Sequence, residues 1–223
     1  YGRAMKVLIF GASGMVGQGV LRVCLHDDAV SEVLVIGRSA LAQQHAKMRM
    51  IVRDNLLDFA GLEAELASVD ACFYCLGVSS TSLGEDAYTR ITFDLTLAAA
   101  RALAAAHPGA CFTYVSGAGT DSSERGRTMW ARVKGRTENA LLALPLKAVM
   151  FRPGAIAPLH GEVSKTPSYR LFYTLLGPML PGLKAFFPGY ITSTEQLGRA
   201  MLTVARQGSP KPVLESADIE RVG

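Results

Sequence analysis

"VLIFGASGMVGQGVL", residues 7–21, joins an unbroken apolar run to a glycine-spaced turn and then to a helical pattern. Gly11, Gly14 and Gly17 stand at GxxGxxG spacing. Glycine admits the tight turn and lets the backbone approach a bulky anion, while the N-terminus of the following helix offers unsatisfied N–H groups and the positive end of its dipole. The turn follows a strand, opens a helix and heads an alternating series. That context predicts a dinucleotide pyrophosphate site built from Gly11, Ala12, Ser13, Gly14, Met15, Val16 and Gly17.

Beyond this stretch, short β-rich runs alternate with longer helical patterns. "KVLIFGA" precedes "MVGQGVLRVCLHD"; "EVLVIGR" follows; "ACFYCLG" precedes "TFDLTLAAARALAAAH"; "ACFTYVSG" precedes "MWARVKGRTENALLAL"; and "KAVMFRPGAI" closes the series. Nearly continuous apolar strands in a βαβ rhythm predict a doubly wound parallel sheet of the Rossmann type. From Pro158 the rhythm stops, and a Pro/Gly-punctuated apolar stretch runs to about Tyr190 before "STEQLGRAMLTVARQG" resumes a helical pattern, with Ser193 or Thr194 as its N-cap. Ligands of open α/β sheets bind outside the carboxyl ends of the strands, so residues 158–192 are expected to form a substrate-pocket or lid elaboration.

With 223 residues, 49% hydrophobic and 19% charged, the chain is long enough for a full core, and one domain over 5–223 is expected. "YGRA" at 1–4 reads as an added remnant ahead of a native start at Met5. The net charge of +4 is spread along the chain, which gives no support for nucleic-acid binding and suggests at most a preference for anionic small molecules. Cys24, Cys72, Cys75 and Cys111 read as reduced, buried thiols of a cytoplasmic protein. Cys72 and Cys75 form a CxxC on a strand, where they point to opposite faces. "LFYTLLGPMLPGLKAFFPGY", 171–190, is interrupted by Gly177-Pro178 and Pro181-Gly182, so it reads as a lid or a homodimer surface rather than a membrane span. His26, His45, His107 and His160 are dispersed, without metal-ligand spacing, and no metal site is expected.

The second strand ends in Gly37-Arg38, about where an acidic residue would bind an adenosine ribose. An arginine there can pair with a 2′-phosphate, so NADP(H) is favoured over NAD(H). Asp54, Asn55 and Leu56, in "MRMIVRDNLLDF", fall where a loop can close over adenine, and Asp54 reads equally as a turn or helix-cap residue. Cys75, Leu76 and Gly77 end the strand beside the cofactor's centre, and Pro153, Gly154 and Ile156 of "FRPGAI" are expected to line the nicotinamide end. Arg152 reads as structural.

"GASGMVGQ", "VIGR", "CLG", "VKGRTENAL", "FRPG" and "VLESADIERVG" together resemble the atypical short-chain dehydrogenase/reductases, NAD(P)-binding Rossmann proteins of the epimerase/dehydratase type. The likeness is nearest to the oxidoreductase Tat-interacting protein branch and its bacterial relatives, and it covers nearly the whole chain. The resemblance implies a helix tyrosine as general acid/base, a lysine four residues on that lowers the tyrosine's pKa and binds the nicotinamide ribose, and an assisting serine after the fifth strand. Lys134 occupies the lysine position. Trp130 occupies that of the tyrosine, and its indole has no accessible ionisation. Ser116 is the best match for the serine among Ser116, Thr120, Ser122 and Ser123.

Three readings follow. An NADP(H)-dependent oxidoreductase would pass hydride to a small planar acceptor, such as a quinone, a flavin or an enone, stacked on Trp130 beneath Phe172, Tyr173, Phe186 and Phe187. Alternatively, Tyr88, Tyr114, Tyr169 or Lys134 through water would supply the missing proton. In the third reading the protein is a non-catalytic redox-sensing module whose cofactor biases partner binding.

Overall fold

The run Met5–Phe10 is apolar at every position but Lys6, so a strand made from it must be covered on both faces. In the computed structural model, which describes residues 4–81, 83–162 and 189–223, it forms β1 at the centre of the molecule. The chain continues through α1 (Met15–His26), β2 (Val30–Gly37), β3 (Met48–Val52), α2 (Glu63–Ser68) and β4 (Ala71–Tyr74). Next, α3 (Glu85–Thr89) runs through a π-helical turn (Arg90–Asp94) into α4 (Leu95–Ala106), followed by β5 (Cys111–Val115), α5 (Met129–Leu142) and β6 (Lys147–Arg152). The remaining described elements are β7 (Ala155–Ala157), β8 (Ile191–Ser193), α6 (Thr194–Gln207), β9 (Val213–Glu215) and α7 (Ser216–Val222).

The main sheet has the order β3-β2-β1-β4-β5-β6-β9, and every neighbouring pair is parallel. This is the doubly wound Rossmann-type sheet expected from the βαβ rhythm. Strand order reverses between β1 and β4, which opens a crevice at their carboxyl ends. A second, two-stranded sheet pairs β7 with β8 in parallel.

Alternation within the strands divides the core into two layers. Val7, Ile9, Val33, Val35, Phe73 and Phe151 pack on one face with α1 and α6 residues such as Val20, Leu21, Leu197 and Met201. Leu8, Phe10, Leu34, Tyr74, Phe112 and Tyr114 pack on the other with Leu66, Leu97, Leu103 and Leu141. All four cysteines are free; Cys72 belongs to the second layer and Cys75 packs against the first, as the strand geometry requires.

Two elements depart from the alternating pattern. The helix read from "TFDLTLAAARALAAAH" starts earlier, at Glu85, because Glu85 and Asp86 complement the dipole of its first turn. A seventh strand, β9, is only three residues long, too short to show alternation, and is held by pairing with Met150–Arg152 of β6. Of the expected lid over 158–192, residues 163–188 lie outside the described residues, and with them Tyr169, Phe172, Tyr173, Phe186, Phe187 and most of the candidate dimer surface. Among the described residues, no helix is long and apolar enough to cross a membrane.

The contact that seats α1 on β1 is backbone against backbone. Gly11 has φ +78°, and a Cβ on Gly17 would stand 2.0 Å from the Gly11 carbonyl oxygen. Gly17→Ala must push the helix off the turn and is expected to destabilise the fold by about 1–3 kcal/mol, read as a lowered urea midpoint. Gly14→Ala, whose Cβ would come no nearer than 3.4 Å to the same oxygen, should leave the midpoint nearly unmoved.

Candidate functional site

The glycine turn lies at the β1/β4 crevice. Cys75 N–H donates to the Phe10 carbonyl at 3.0 Å, and Gly14 N–H to that of Gly11 at 3.0 Å. A Cβ on Gly11 would lie 2.5 Å from the Leu76 backbone nitrogen, so the segment after β4 is pressed directly against the turn. Gly11 and Gly17 are therefore required by the protein's own packing. Gly14 and Gly77 are not: a Cβ on Gly77 would meet nothing within 4 Å, and one on Gly14 would make only an ordinary contact. The N-terminus of α1 has Gly14 as its cap, which offers no side chain, and its first turn holds no acidic residue. A helix N-terminus with no competing carboxylate, behind a glycine that leaves room for a ligand, fits a pyrophosphate. Ala12 is buried in the core and Val16 packs against it, whereas Ser13 and Met15 are partly exposed.

At the other end of the crevice, Arg38 follows β2 directly. It is exposed and makes no ion pair or hydrogen bond among the described residues. Asn55 is exposed as well, but its Oδ1 accepts the Leu57 N–H at 3.1 Å in a local turn. The Leu56 side chain is buried in the second core layer, which leaves only its backbone to meet a ligand.

α5 carries the remaining candidates along one side. A Cβ on Gly119 would lie 3.6 Å from Trp130 Cη2, and one on Gly117 would lie 3.9 Å from Lys134 Nζ. The loop after β5 thus runs past both side chains, and the helix comes this close because Gly135 has no Cβ to meet the Asp121 carbonyl, which would stand at 1.8 Å. Lys134 Nζ donates to the Ser116 carbonyl oxygen. The Ser116 hydroxyl is buried and turned inward, donating to Glu138 Oε1 at 2.5 Å and to the Phe151 carbonyl at 3.2 Å. The structure therefore brings Lys134, Trp130 and Ser116 together, but commits the serine's hydroxyl to the protein interior.

Beside them, Pro153 O accepts the Ala118 N–H at 2.8 Å. The Gly154 N–H is committed to Ser216 Oγ at 2.6 Å, so Gly154 has no backbone donor to offer a ligand. Ile156 is partly buried against the first core layer.

Sequence reasoning missed Glu138 and the part Arg152 plays with it. Glu138 is 1% exposed and takes Arg152 in a fork, Nε to Oε1 at 3.0 Å and Nη2 to Oε2 at 2.5 Å. Arg152 also reaches Glu215 Oε1 at 3.2 Å and Ser122 Oγ at 2.6 Å. One signal was available: Ala131, Gly135 and Glu138 recur at helical spacing on the buried face of α5, and a carboxylate there needs a partner. Neither Tyr88 nor Tyr114 replaces the phenol absent at Trp130, whereas Tyr190 is exposed, with its ring 3.1 Å from where a Gly154 Cβ would stand. Tyr88 and Tyr114 are both 2% exposed, and burial pushes the Tyr114 hydroxyl far above its usual range. His160 Nε2 lies 2.8 Å from Glu195 Oε2 in an exposed pair.

No protein-family model matches the chain. The chain is 30% identical over 226 residues to Protein HTATIP2 of Rattus norvegicus, covering 98% of this chain and 89% of that one. It is 27% identical over 224 residues to Protein fmp52-2, mitochondrial, of Aspergillus oryzae, covering 96% and 95%. Its fold matches that of the Bordetella bronchiseptica enzyme WbmF in complex with NAD+ with a TM-score of 0.70 at 18% identity, over 98% of this chain and 77% of that one. It also matches the Helicobacter pylori ADP-L-glycero-D-manno-heptose-6-epimerase with a TM-score of 0.67 at 16% identity, over 97% and 80%. The fungal relatives are named as mitochondrial proteins, which overturns the cytoplasmic expectation. Unpaired cysteines do not choose among compartments.

Burial draws the Lys134 ammonium down from 10.5 to about 8, with Glu138 opposing the shift. A lysine whose folded pKa lies below its unfolded value destabilises the fold while both states are protonated. That cost is present in full below pH 8 and is relieved as pH rises toward the unfolded value, where the unfolded chain binds more protons. Lys134→Met is therefore expected to be more stable than the parent at pH 7, by about 1 kcal/mol. Urea midpoints measured from pH 7 to pH 10 should show this margin narrowing above pH 8; a constant margin would count against a buried charge.

Proposed function

The chain belongs to the HTATIP2 family of atypical short-chain dehydrogenase/reductases, and from that premise we propose that it is an NADP(H)-binding oxidoreductase serving a small planar acceptor of quinone or enone type. One observation carries the reading. The glycine turn holds two glycines that the protein's packing demands and, with Gly77, a cradle that its packing does not fill. Solved neighbours of the same fold hold NAD+ and NADH, which supports a nicotinamide dinucleotide. The phosphorylated form is argued from Arg38, an exposed cation after β2 where an acidic residue would repel a 2′-phosphate.

In this reading the turn from Gly11 to Gly17 and the N-terminus of α1 hold the pyrophosphate, and Asn55 and the Leu56 backbone border the adenine. Cys75, Leu76 and Gly77 pass beneath the centre, while Pro153, Gly154 and Ile156 wall the nicotinamide end by van der Waals contact. The bound dinucleotide supplies hydride. Lys134 carries three N–H donors, one given to Ser116, and the others are available for ribose hydroxyls and for a water that passes a proton on. Ser116 acts as an anchor for Lys134 rather than as a hydrogen-bond donor to substrate. Trp130 offers a flat apolar face and one fixed N–H donor, so the acceptor must be one that accepts hydride without a phenolic acid. One domain over 5–223, with 158–192 closing the substrate side, completes the proposal.

A second reading is favoured by the same indole: with Tyr88 and Tyr114 buried, cofactor binding without turnover would make the protein a redox-sensing module. Fluorescence titration separates these outcomes. NADPH is expected to bind at least about tenfold more tightly than NADH, and Arg38→Glu to abolish that preference, since one bidentate charge pair is worth about 1.5–3 kcal/mol. Failure of both nucleotides to bind would overturn the proposal. NADPH binding without oxidation by menadione, a flavin or a cyclic enone would leave the sensing module.

A further inference from the structure

Glu138 lies one helical turn from Lys134 on the same face of α5. Its carboxylate is saturated, with Ser116 Oγ at 2.5 Å, Arg152 Nε at 3.0 Å and Arg152 Nη2 at 2.5 Å. Ser116 is held by that carboxylate through its hydroxyl, and it holds the Lys134 ammonium through its carbonyl. Arg152 is in turn braced by Ser122 in the loop after β5 and by Glu215 at the end of β9. An ion pair this buried adds little stability over well-packed apolar side chains. What it supplies here is a fixed negative potential one turn from a partly buried cation.

We propose that Glu138, clamped by Arg152, is a positioning residue that keeps Lys134 cationic and fixes it beside the nicotinamide end of the crevice. This rests on the proposed function, in which Lys134 holds the nicotinamide ribose. A neutral or swinging amine would lose the charge-assisted hydrogen bonds on which that role depends.

Among the described residues, these charged groups stand around Lys134. Glu138 shares its helix, Arg152 stands on β6, Glu215 lies behind Arg152 on β9, and Asp121 lies in the loop that crosses Gly135; the phenols of Tyr88 on α3 and Tyr114 on β5 are buried. Of these, Glu138 is the charge that acts on the lysine, opposing burial. Removing it must therefore lower the pH at which Lys134 loses its proton.

The test reads that proton directly. Trace acetic anhydride labels amines in proportion to their unprotonated fraction, and peptide mass spectrometry from pH 6 to 11 reports the half-point for Lys134, with exposed lysines as internal references. Without nucleotide, the wild-type half-point is expected at about 8, falling by about 1 pH unit in Glu138→Gln. Glu138→Asp, which retains the charge, should recover part of that shift. Because Glu138→Gln strands Arg152, the double variant Glu138→Gln with Arg152→Gln is measured in parallel; it leaves no buried orphan charge and should shift in the same direction. Folded variants whose Lys134 half-point matches the wild type would overturn the proposal, because a purely structural Glu138 would change stability and not the lysine. NADPH titration of the wild type is read separately: no binding there overturns the proposed function, while the labelling still decides whether Glu138 governs Lys134.

Discussion

The close approach of α1 to the turn after β1 is the constraint on which the molecule is built. With Gly17 against the Gly11 carbonyl and Gly11 against the Leu76 backbone, three segments meet with no side chain between them. A helix that starts this close to the central strand places its N-terminal amides at the mouth of the β1/β4 crevice. The same approach lets Val20, Leu21 and Cys24 bury against β1 and β2, so the features that would bind an anion and those that fill half the core have one origin.

The opposite edge of the crevice works by a different principle. There the contacts are charged, and they gather residues from α5, β6, β9 and the loop after β5 around one buried ion pair, Glu138 with Arg152. Gly135 lets the loop after β5 lie flat on α5, which brings the Ser116 carbonyl to the lysine. A phenol in place of Trp130 would stand in the same row. The indole offers no titration there, leaving Lys134 as the ionisable group of that row.

Much of this was legible in the residues. The GxxGxxG turn, the two-sided apolar strands and the i, i+4 spacing of Trp130 and Lys134 are local patterns, and local patterns survive folding because neighbours in sequence stay neighbours in space. Glu138 and Arg152 were not legible as a pair: their contact depends on how α5 settles against β6, which neither segment encodes alone. Ser116 was identified by position, but the inward turn of its hydroxyl depends on that same distant partner. β9 is too short to announce itself and exists because β6 offers it an edge. The compartment was misread because reduced cysteines carry no address.

The late segments of the chain impose an order on its biogenesis. Glu215 reaches Arg152, Ser216 takes the Gly154 N–H, and α6 packs against α1, where a Cβ on Gly19 would stand 2.4 Å from Thr194 Cβ. During synthesis the N-terminal half can pair β1, β2, β3 and β4 and shape the glycine turn well before residues 194–222 leave the ribosome. Until they do, α1 lacks its cover and the clamp on Glu138 lacks a brace. A nascent chain of this protein therefore carries a formed glycine turn without the finished cluster around Glu138, and the two are joined only when β9 enters the sheet.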